Sequence, residues 1–239
     1  MKKLFPIAML AVLLVGCSKG TESTSSATTI EKTSTSTESG AYDLKINVKK
    51  GEVFTYVMNI EATSPSPSKM EMTMNMGVAD VAEGKIKFET KITGMNMDGA
   101  TLTAPQMEAM SKIVVKTTMD ERGTVLESRV EGSPDPNANS GSNNSVSFPD
   151  KPVKPGDKWT GETEVSGKKL KAVYTFVAVE TVNGKQIGHL TAVVNSPEVK
   201  FDGPLHFWVE LSNGMLTKTE FSGEEVASKT KMKVTMSRK

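Results

Sequence analysis

Methionine is the residue type whose spacing in this sequence most directly implies chemistry. Four methionines alternate with polar residues in one short run and two further pairs follow it: Met70, Met72, Met74, Met76, Met95, Met97, Met107 and Met110. Successive side chains of a strand point to opposite faces, so the four sulfurs of the run project from one face of a sheet. Thioethers are soft metal ligands and also flexible apolar groups. The pattern therefore indicates either a soft-metal site or a pliable apolar surface.

Three interpretations of this methionine face are open. A Cu(I) or Ag(I) site needs a partner strand, because sulfurs two residues apart on one strand lie roughly 7 Å from each other. A pocket for a lipid or another apolar molecule suits thioether surfaces, which adapt to varied partners. A closed core with no ligand is the structural alternative. We adopt the pocket as the functional hypothesis, with the eight methionines as its candidate face, and predict no bound metal.

Other residue types give little support to catalysis. The chain has two histidines, His189 and His206, and one cysteine, too few for a His-rich metal centre, a zinc cluster or a disulfide framework. No G-x-S-x-G sequence positions a nucleophilic serine, and no phosphate-binding Gly-rich loop or EF-hand pattern occurs. His206 and Trp208 are predicted to share one face of a strand. We expect a non-enzymatic protein without a cofactor.

Positive and negative charges are balanced in this chain. The 29 Lys and Arg residues and 28 Asp and Glu residues give a formal net charge of +1, which becomes −1 if Lys2 and Lys3 are removed with a signal segment. A near-neutral chain has no general attraction to nucleic acid or to an anionic membrane surface. We therefore predict no nucleic-acid partner.

The first residues, MKKLFPIAMLAVLLVGC, have the pattern of an export signal. Two lysines precede about nine apolar residues, too few to span a bilayer. The segment ends in Leu14-Val15-Gly16-Cys17, which resembles the lipobox of bacterial lipoproteins. The resemblance implies removal of residues 1–16 and acylation of Cys17, with palmitate-like chains that anchor the protein to a membrane. The alternative is an ordinary secretory signal with a free cysteine nearby.

Residues 17–41 are predicted to form a disordered tether. Of the 24 residues from 18 to 41, 14 are Ser or Thr and only Ile30 is a large aliphatic residue, so too little apolar area is available to offset the entropy of ordering. A coil of this length reaches roughly 25–30 Å. In the lipoprotein resemblance, Ser18 after the acylated cysteine implies sorting to the outer membrane, facing the periplasm.

From residue 42 onward, short alternating runs separated by Gly, Asn, Asp and Pro are typical of an antiparallel all-β domain. About eleven or twelve strands and one short helix, Thr103–Val114, are predicted. Loop 132–147 separates the halves 42–131 and 148–239, which form either one strongly curved sheet, as in a half-barrel, or two sheets. Hairpin turns are predicted at Glu83-Gly84, Arg122-Gly123 and Asn183-Gly184.

Three strand predictions in this domain are specific enough to check. Tyr42–Lys49 is predicted as the first strand, and Val199–Leu211 as one continuous strand. The segment Lys229–Lys239 alternates Lys with Thr, Met and Val. It is predicted to be an edge strand that its charges protect from pairing with another chain.

A second resemblance rests on the sequence from Phe148 to Trp159, FPDKPVKPGDKW. The pattern F-P-x-x-x-V-x-x-G-D-x-W, preceded by K-x-G-E-x-F-x-Y at 49–56, is similar to an uncharacterised family of bacterial secreted lipoproteins. The resemblance covers roughly residues 44–223 and implies no known activity. In physical terms, Gly156 permits a turn, Asp157 caps or turns the loop, and Trp159 anchors the next strand in the core.

Together these features predict a membrane-anchored envelope lipoprotein that binds a lipid-like ligand or an envelope protein partner on its methionine face. Half-barrel lipoprotein carriers of the periplasm are a fold-level analogy. The alternatives are a structural or assembly lipoprotein with no ligand and, less favoured, a Cu(I) or Ag(I) binder. A ligand carrier requires an open apolar cavity between the sheet and the helix, whereas a scaffold requires a filled core and an exposed apolar patch elsewhere.

Overall fold

The computed structural model describes residues 40–64, 67–133, 146–165 and 168–239. The signal segment, Cys17, nearly all of the tether and most of loop 132–147 lie outside these ranges, so the statements about them stay predictions. Within the described ranges there are one helix, α1 (Ala104–Ser111), and thirteen strands. In chain order the strands are β1 (Val53–Ser64), β2 (Ser68–Ala82), β3 (Lys85–Met97), β4 (Ala100–Thr101), β5 (Val114–Asp120), β6 (Val125–Glu131), β7 (Lys158–Val165), β8 (Lys168–Val182), β9 (Lys185–Val194), β10 (Val199–Phe201), β11 (Leu205–Glu210), β12 (Leu216–Glu225) and β13 (Lys231–Arg238).

All thirteen strands belong to one open antiparallel sheet. Its main path runs β6-β5-β3-β2-β1-β13-β12-β11-β9-β8-β7, with β4 beside β3 and β10 beside β12. The predicted all-β class is confirmed, and of the two predicted arrangements the single sheet is the one observed. The strand β13 connects the two sides of the sheet because it pairs with β1 along one edge and with β12 along the other.

The central position of β13 shows that the predicted edge strand at Lys229–Lys239 is wrong. Val234 and Met236 are buried on the face that carries the core, which we call the inner face, whereas Lys231 and Lys233 are exposed. The lysines alternate with apolar residues because β13 has one buried and one solvated face. The charged groups of these lysines therefore lie on the solvated outer face of the sheet and do not protect an edge.

Residues 42–48 cross the inner face as an extended segment that we call the strap. Leu44, Ile46 and Val48 are buried in the core. Among the described residues, the strap forms a single β-bridge, between Tyr42 and Val153. The prediction of a first strand at Tyr42–Lys49 is therefore wrong. Apolar and polar residues alternate in the strap because one side of it faces the sheet and the other faces solvent, the same pattern that a surface strand produces.

Gly214, in the turn between β11 and β12, holds the middle of the strap. Its φ is +71°, and a Cβ atom placed on it would lie 2.1 Å from the carbonyl oxygen of Lys45. No side chain fits there without a backbone shift, so only glycine permits this close approach. The N–H of Asn47 donates a hydrogen bond of 2.9 Å to the carbonyl oxygen of Asn213 beside it.

Gly123, in the turn between β5 and β6, makes the equivalent contact with a second inner segment. Its φ is +80°, and a Cβ atom there would lie 2.2 Å from the carbonyl oxygen of Val146. The N–H of Phe148 donates to the carbonyl oxygen of Arg122 at 2.7 Å, and the N–H of Ile46 donates to Glu121 at 2.8 Å. The strap and residues 146–148 therefore lie side by side against two hairpin turns.

The helix α1 covers the inner face over β2 and β3. It is shorter than predicted and begins after Thr103, whose N–H donates to Gln106 Oε1 at 2.9 Å. Buried residues of the helix, of the segment after it and of the strands beneath it form a separate apolar cluster, which we call the helix cluster: Met70, Met72, Ile92, Met95, Met110 and Ile113. Half of the predicted methionine face is thus a closed core.

The segment from Phe148 to Trp159 has a structural role. The Asp157 carboxylate accepts the N–H of Lys154 at 2.8 Å, which confirms that Asp157 stabilises the turn. The Trp159 indole stacks on Tyr174 with ring centroids 5.5 Å apart and donates to the carbonyl oxygen of Ser147 at 2.7 Å. This motif therefore connects the inner segment 146–148 to the start of β7.

The short-range predictions of strand connectivity are mostly confirmed. The hairpins at Glu83-Gly84 and Asn183-Gly184 have positive φ at both turn residues, as a type I′ turn requires. The single strand predicted for Val199–Leu211 is wrong, since residues 202–204 (Asp-Gly-Pro) divide it into β10 and β11. Proline cannot donate to a strand ladder, which accounts for the break.

Candidate ligand-binding site

An apolar cavity of about 190 Å³ lies on the inner face. Ile46 of the strap lines one side of it, and Met58 and Met74, which pack against the helix cluster, line the other. The cavity therefore occupies the gap between the strap and the helix cluster. Among the described residues, its lining consists of Ile46, Tyr56, Met58, Met74, Met76, Phe88, Thr90, Val115, Thr117, Met119, Gly123, Val146, Phe148, Gly214, Met215, Leu216 and Met236.

Methionine is the commonest residue in this lining. The six are Met58 from β1, Met74 and Met76 from β2, Met119 from β5, Met236 from β13 and Met215 from the turn before β12. Strand pairing places several of them together, since directly opposite residues of an antiparallel pair share a face. Met58 lies opposite Met236, and Met74 lies opposite Tyr56. The result is a wall of flexible, polarisable side chains.

The cavity is more enclosed at one end than at the other. The lining residues beside the strap, Ile46, Val146 and Phe148, are buried. Towards β3 and β5, the lining residues Thr90 and Val115 are only half-buried. The strap and segment 146–148 thus form the closed end, and we call the end at Thr90 and Val115 the half-buried end.

The few polar groups in the lining carry no charge. The Tyr56 hydroxyl donates to the carbonyl oxygen of Leu216 at 3.1 Å. Burial raises the pKa of Tyr56 to about 12, so this hydroxyl stays protonated at neutral pH. The Thr117 hydroxyl lies 3.4 Å from that of Ser128. A charged group in such a site would lose its hydration without a counterion, so the cavity suits a neutral, apolar ligand.

The eight methionines predicted from the sequence lie in three different places. Met74 and Met76 line the cavity. Met97 is 45% exposed and lies outside the cavity. The other five belong to the helix cluster or pack against it: Met70, Met72, Met95, Met107 and Met110. The sequence predicted a cavity between the helix and the sheet, whereas the observed cavity lies beside the helix.

Four methionines of the lining were not predicted. They are isolated methionines in their strands and turns and are not part of an alternating run such as the one in β2: Met58, Met119, Met215 and Met236. Three of them, Met58, Met119 and Met236, could have been found from alternation, because each occupies an inward position of a strand. Alternation gives the face of each strand, but it does not show which strands meet around one cavity.

The two histidines lie on the outer face, away from the cavity. His189 Nε2 is 3.0 Å from His206 Nδ1, and the His189 ring stacks on Trp208 with centroids 4.6 Å apart. His206 and Trp208 do share one face of β11, as predicted, with Phe207 buried on the other. In the strand register His206 is opposite Glu220, a carboxylate that Lys218 and Lys233 neutralise at 2.9 and 3.2 Å.

Protonation of His189 is expected to destabilise the fold. Burial, then the charges of His206 and Lys218, lower the pKa of His189 below its usual value. Because the unfolded chain takes up this proton more readily, stability is highest above a pH of about 6.5 and falls as the pH drops through the folded-state pKa. Denaturant unfolding of the wild type and of His189→Gln, from pH 7.5 to 5.5, measures the contribution. The variant should show the shallower pH dependence, and equal slopes would contradict the assignment.

The described residues hold no group of three or more His, Cys, Asp or Glu side chains arranged to bind a metal ion. In the same ranges, no helix has both the length and the apolar character needed to cross a membrane.

Comparisons with known proteins give two weak structural likenesses. No protein-family model matches the chain, and no curated protein matches it. The hypothetical lipoprotein YmcC from Escherichia coli (K12) is 13% identical with a TM-score of 0.30, over 77% of this chain and 83% of that one. A putative outer membrane lipoprotein-sorting protein domain from Vibrio parahaemolyticus is 9% identical with a TM-score of 0.28, over 78% and 83%. Likenesses of this strength assign neither family nor function.

Proposed function

We propose that this chain is a lipid-anchored envelope protein that binds a small apolar molecule in the methionine-lined cavity. The observation that carries the proposal is the cavity itself, a space of about 190 Å³ whose described lining residues include six methionines and no charged side chain. Ligand sites are usually preformed, concave and mostly apolar. A cavity in a closed core loses packing contacts and destabilises the fold, so a space of this size is more readily understood as a binding site.

The proposed anchor places this site at a membrane. Acylation of Cys17 and a tether of residues 17–41 would hold the domain within roughly 25–30 Å of the bilayer surface. We propose the periplasmic side of the outer membrane, from the lipobox and Ser18. A binding protein in this position can exchange apolar molecules with the membrane without enzymatic chemistry.

Native mass spectrometry tests the proposal. The chain from Ser18 onward, which keeps every described residue and lacks the lipidation site, is purified from cells without detergent, and the same sample is extracted with organic solvent. We expect a stoichiometric bound apolar molecule, or calorimetric binding of benzene as the probe of the empty protein, since a cavity of about 150 Å³ is enough to bind benzene. A ligand-free mass together with no probe binding would refute the proposed function.

A pair of matched variants locates the binding site. Met76→Trp puts a larger side chain into the lining, and Met97→Trp makes the same change at the exposed methionine outside the cavity. We expect Met76→Trp to weaken probe binding at least tenfold and Met97→Trp to leave it unchanged. Circular dichroism of both variants confirms that they fold. Equal binding by the two variants would place the ligand elsewhere.

A structural or assembly lipoprotein without a ligand is the second candidate function. It is favoured by an exposed apolar pair on the outer face, where Val173 on β8 lies directly opposite Val193 on β9 and the two are 46% and 58% exposed. Exposed apolar surface often marks a contact with another protein. Crosslinking in intact cells from position 193, compared with the exposed position 81, would reveal a partner specific to this face.

A further inference from the structure

We infer, on the basis of the proposed function, that the cavity takes the end of one hydrocarbon chain of about seven or eight carbons and does not take a whole membrane lipid. A cavity of about 150 Å³ binds benzene, which allows about 25 Å³ for each carbon, so a space of about 190 Å³ holds seven or eight. Sites for larger organic ligands run from about 300 Å³ upward.

The closed end of the cavity limits the depth to which a chain enters. Ile46 forms part of that end, and its backbone is fixed by the 2.8 Å hydrogen bond to Glu121. Next to it the strap is held against Gly214, where the backbone of Lys45 comes too close for any side chain. A chain that reaches Ile46 therefore meets a wall that is bound to the rest of the fold.

The chemistry of the lining decides which part of the ligand enters. No charged side chain is found among the described residues of the lining, and the Tyr56 hydroxyl already donates to Leu216. A polar head would lose its hydration inside. At the half-buried end the Thr90 hydroxyl is available, since it has no hydrogen-bond partner among the described residues. The chain therefore enters first, and a hydroxyl or ester head stays near Thr90.

A series of primary alcohols from butanol to dodecanol tests this geometry. Isothermal titration calorimetry with the chain beginning at Ser18 gives the affinity of each alcohol. Each added methylene that becomes buried should raise the affinity about fourfold. We expect this rise up to about seven or eight carbons and a plateau beyond, because further carbons stay in water.

Variants of the strap identify the wall. Ile46→Ala removes three carbons from the closed end, so the plateau should move to a chain about three carbons longer. Val48→Ala is the control, because Val48 is also buried in the strap but does not line the cavity, and its plateau should stay in place. If Ile46→Ala fails to fold, Ile46→Val should move the plateau by about one carbon.

The outcomes separate this inference from the proposed function. If neither the probe nor any alcohol binds, the proposed function itself is refuted. If alcohols bind but the affinity rises without a plateau, or the plateau stays in place in the Ile46 variant that folds, the ligand still binds but the single-chain geometry is wrong. Binding of a complete phospholipid with one-to-one stoichiometry and both chains protected from solvent would also overturn it.

Discussion

Replacement of Gly214 by alanine is expected to lower the free energy of unfolding by about 3–4 kcal/mol, near the upper end of single-residue effects. Alanine at a φ of +71° is strained, and its Cβ would lie 2.1 Å from the carbonyl oxygen of Lys45 and 2.6 Å from the carbonyl carbon. Both contacts are with backbone, which cannot rotate away as a flexible side chain can. The strap must therefore move off the turn, and the burial of Leu44, Ile46 and Val48 is disturbed with it.

Gly84→Ala is the matched control for this prediction. Gly84 also has a φ of +71°, but no atom lies within 4 Å of the position that its Cβ would take, so the substitution adds only the backbone strain, about 1–2 kcal/mol. Urea denaturation of the two variants and the wild type gives the difference. Similar losses for Gly214→Ala and Gly84→Ala would show that the strap does not depend on the close contact.

Replacement of Glu210 by glutamine is expected to lower the free energy of unfolding by about 2–4 kcal/mol. Glu210 is only 5% exposed. Its carboxylate pairs with Arg238 and with Lys185, 3.1 Å away, and accepts the hydroxyl of Ser212 at 2.9 Å. Glutamine keeps the shape but leaves the largely buried guanidinium of Arg238 without a counterion. The contact joins β11 to β13, so its loss weakens the centre of the sheet.

Glu224→Gln is the control for the Glu210 variant. Its partner Lys229 is exposed and lies 3.7 Å away, so the expected loss is below about 1 kcal/mol. Burial raises the pKa of Glu210, but hydrogen bonds from Arg238, Ser212 and Lys185 outweigh it and lower the pKa overall. The stabilising contribution is therefore present above the unfolded-state pKa and is lost as the pH falls through the folded-state pKa. The difference between wild type and Glu210→Gln should shrink in acid, and a difference that grows would contradict this account.

The parts of the fold that depend on neighbouring residues could be predicted from the sequence. The turns at Glu83-Gly84 and Asn183-Gly184 need positive φ at adjacent positions, and the strands on either side alternate in polarity, so each hairpin is specified within about 30 residues. The all-β class follows from the repetition of such units. In the same way, the alternation at His206, Phe207 and Trp208 predicted correctly on which face of the sheet each side chain lies.

The order of strands could not be read in this way. Alternation in β13 shows that one face is buried, but it is the same for a strand in the centre of a sheet and for one at its edge. The strap could not be distinguished from a strand for the same reason. Leu44, Ile46 and Val48 have the alternating spacing of a strand whether or not their backbone pairs with a neighbouring strand. What distinguishes the two cases is a contact with Gly214, about 170 residues away.

The candidate site was predicted only in part for a related reason. The run on β2 showed that its methionines share a face, and the structure bears this out from Met70 to Met76. Which of them line a cavity depends on what covers each part of that face. The helix covers Met70 and Met72, whereas Met74 and Met76 lie beside open space. Coverage is a property of the tertiary structure, so alternation alone cannot provide it.

The position of β13 has a consequence for how the chain folds. Tyr56 and Arg238 are opposite each other in the β1–β13 pair, although they are about 180 residues apart in the chain, and contacts this distant are slow to form. Until β13 arrives, β1 and β12 both present unpaired backbone to solvent, which is the surface that aggregates during folding. Folding of this protein should therefore be slow and sensitive to concentration, and a chaperone that shields those two strands would raise its yield.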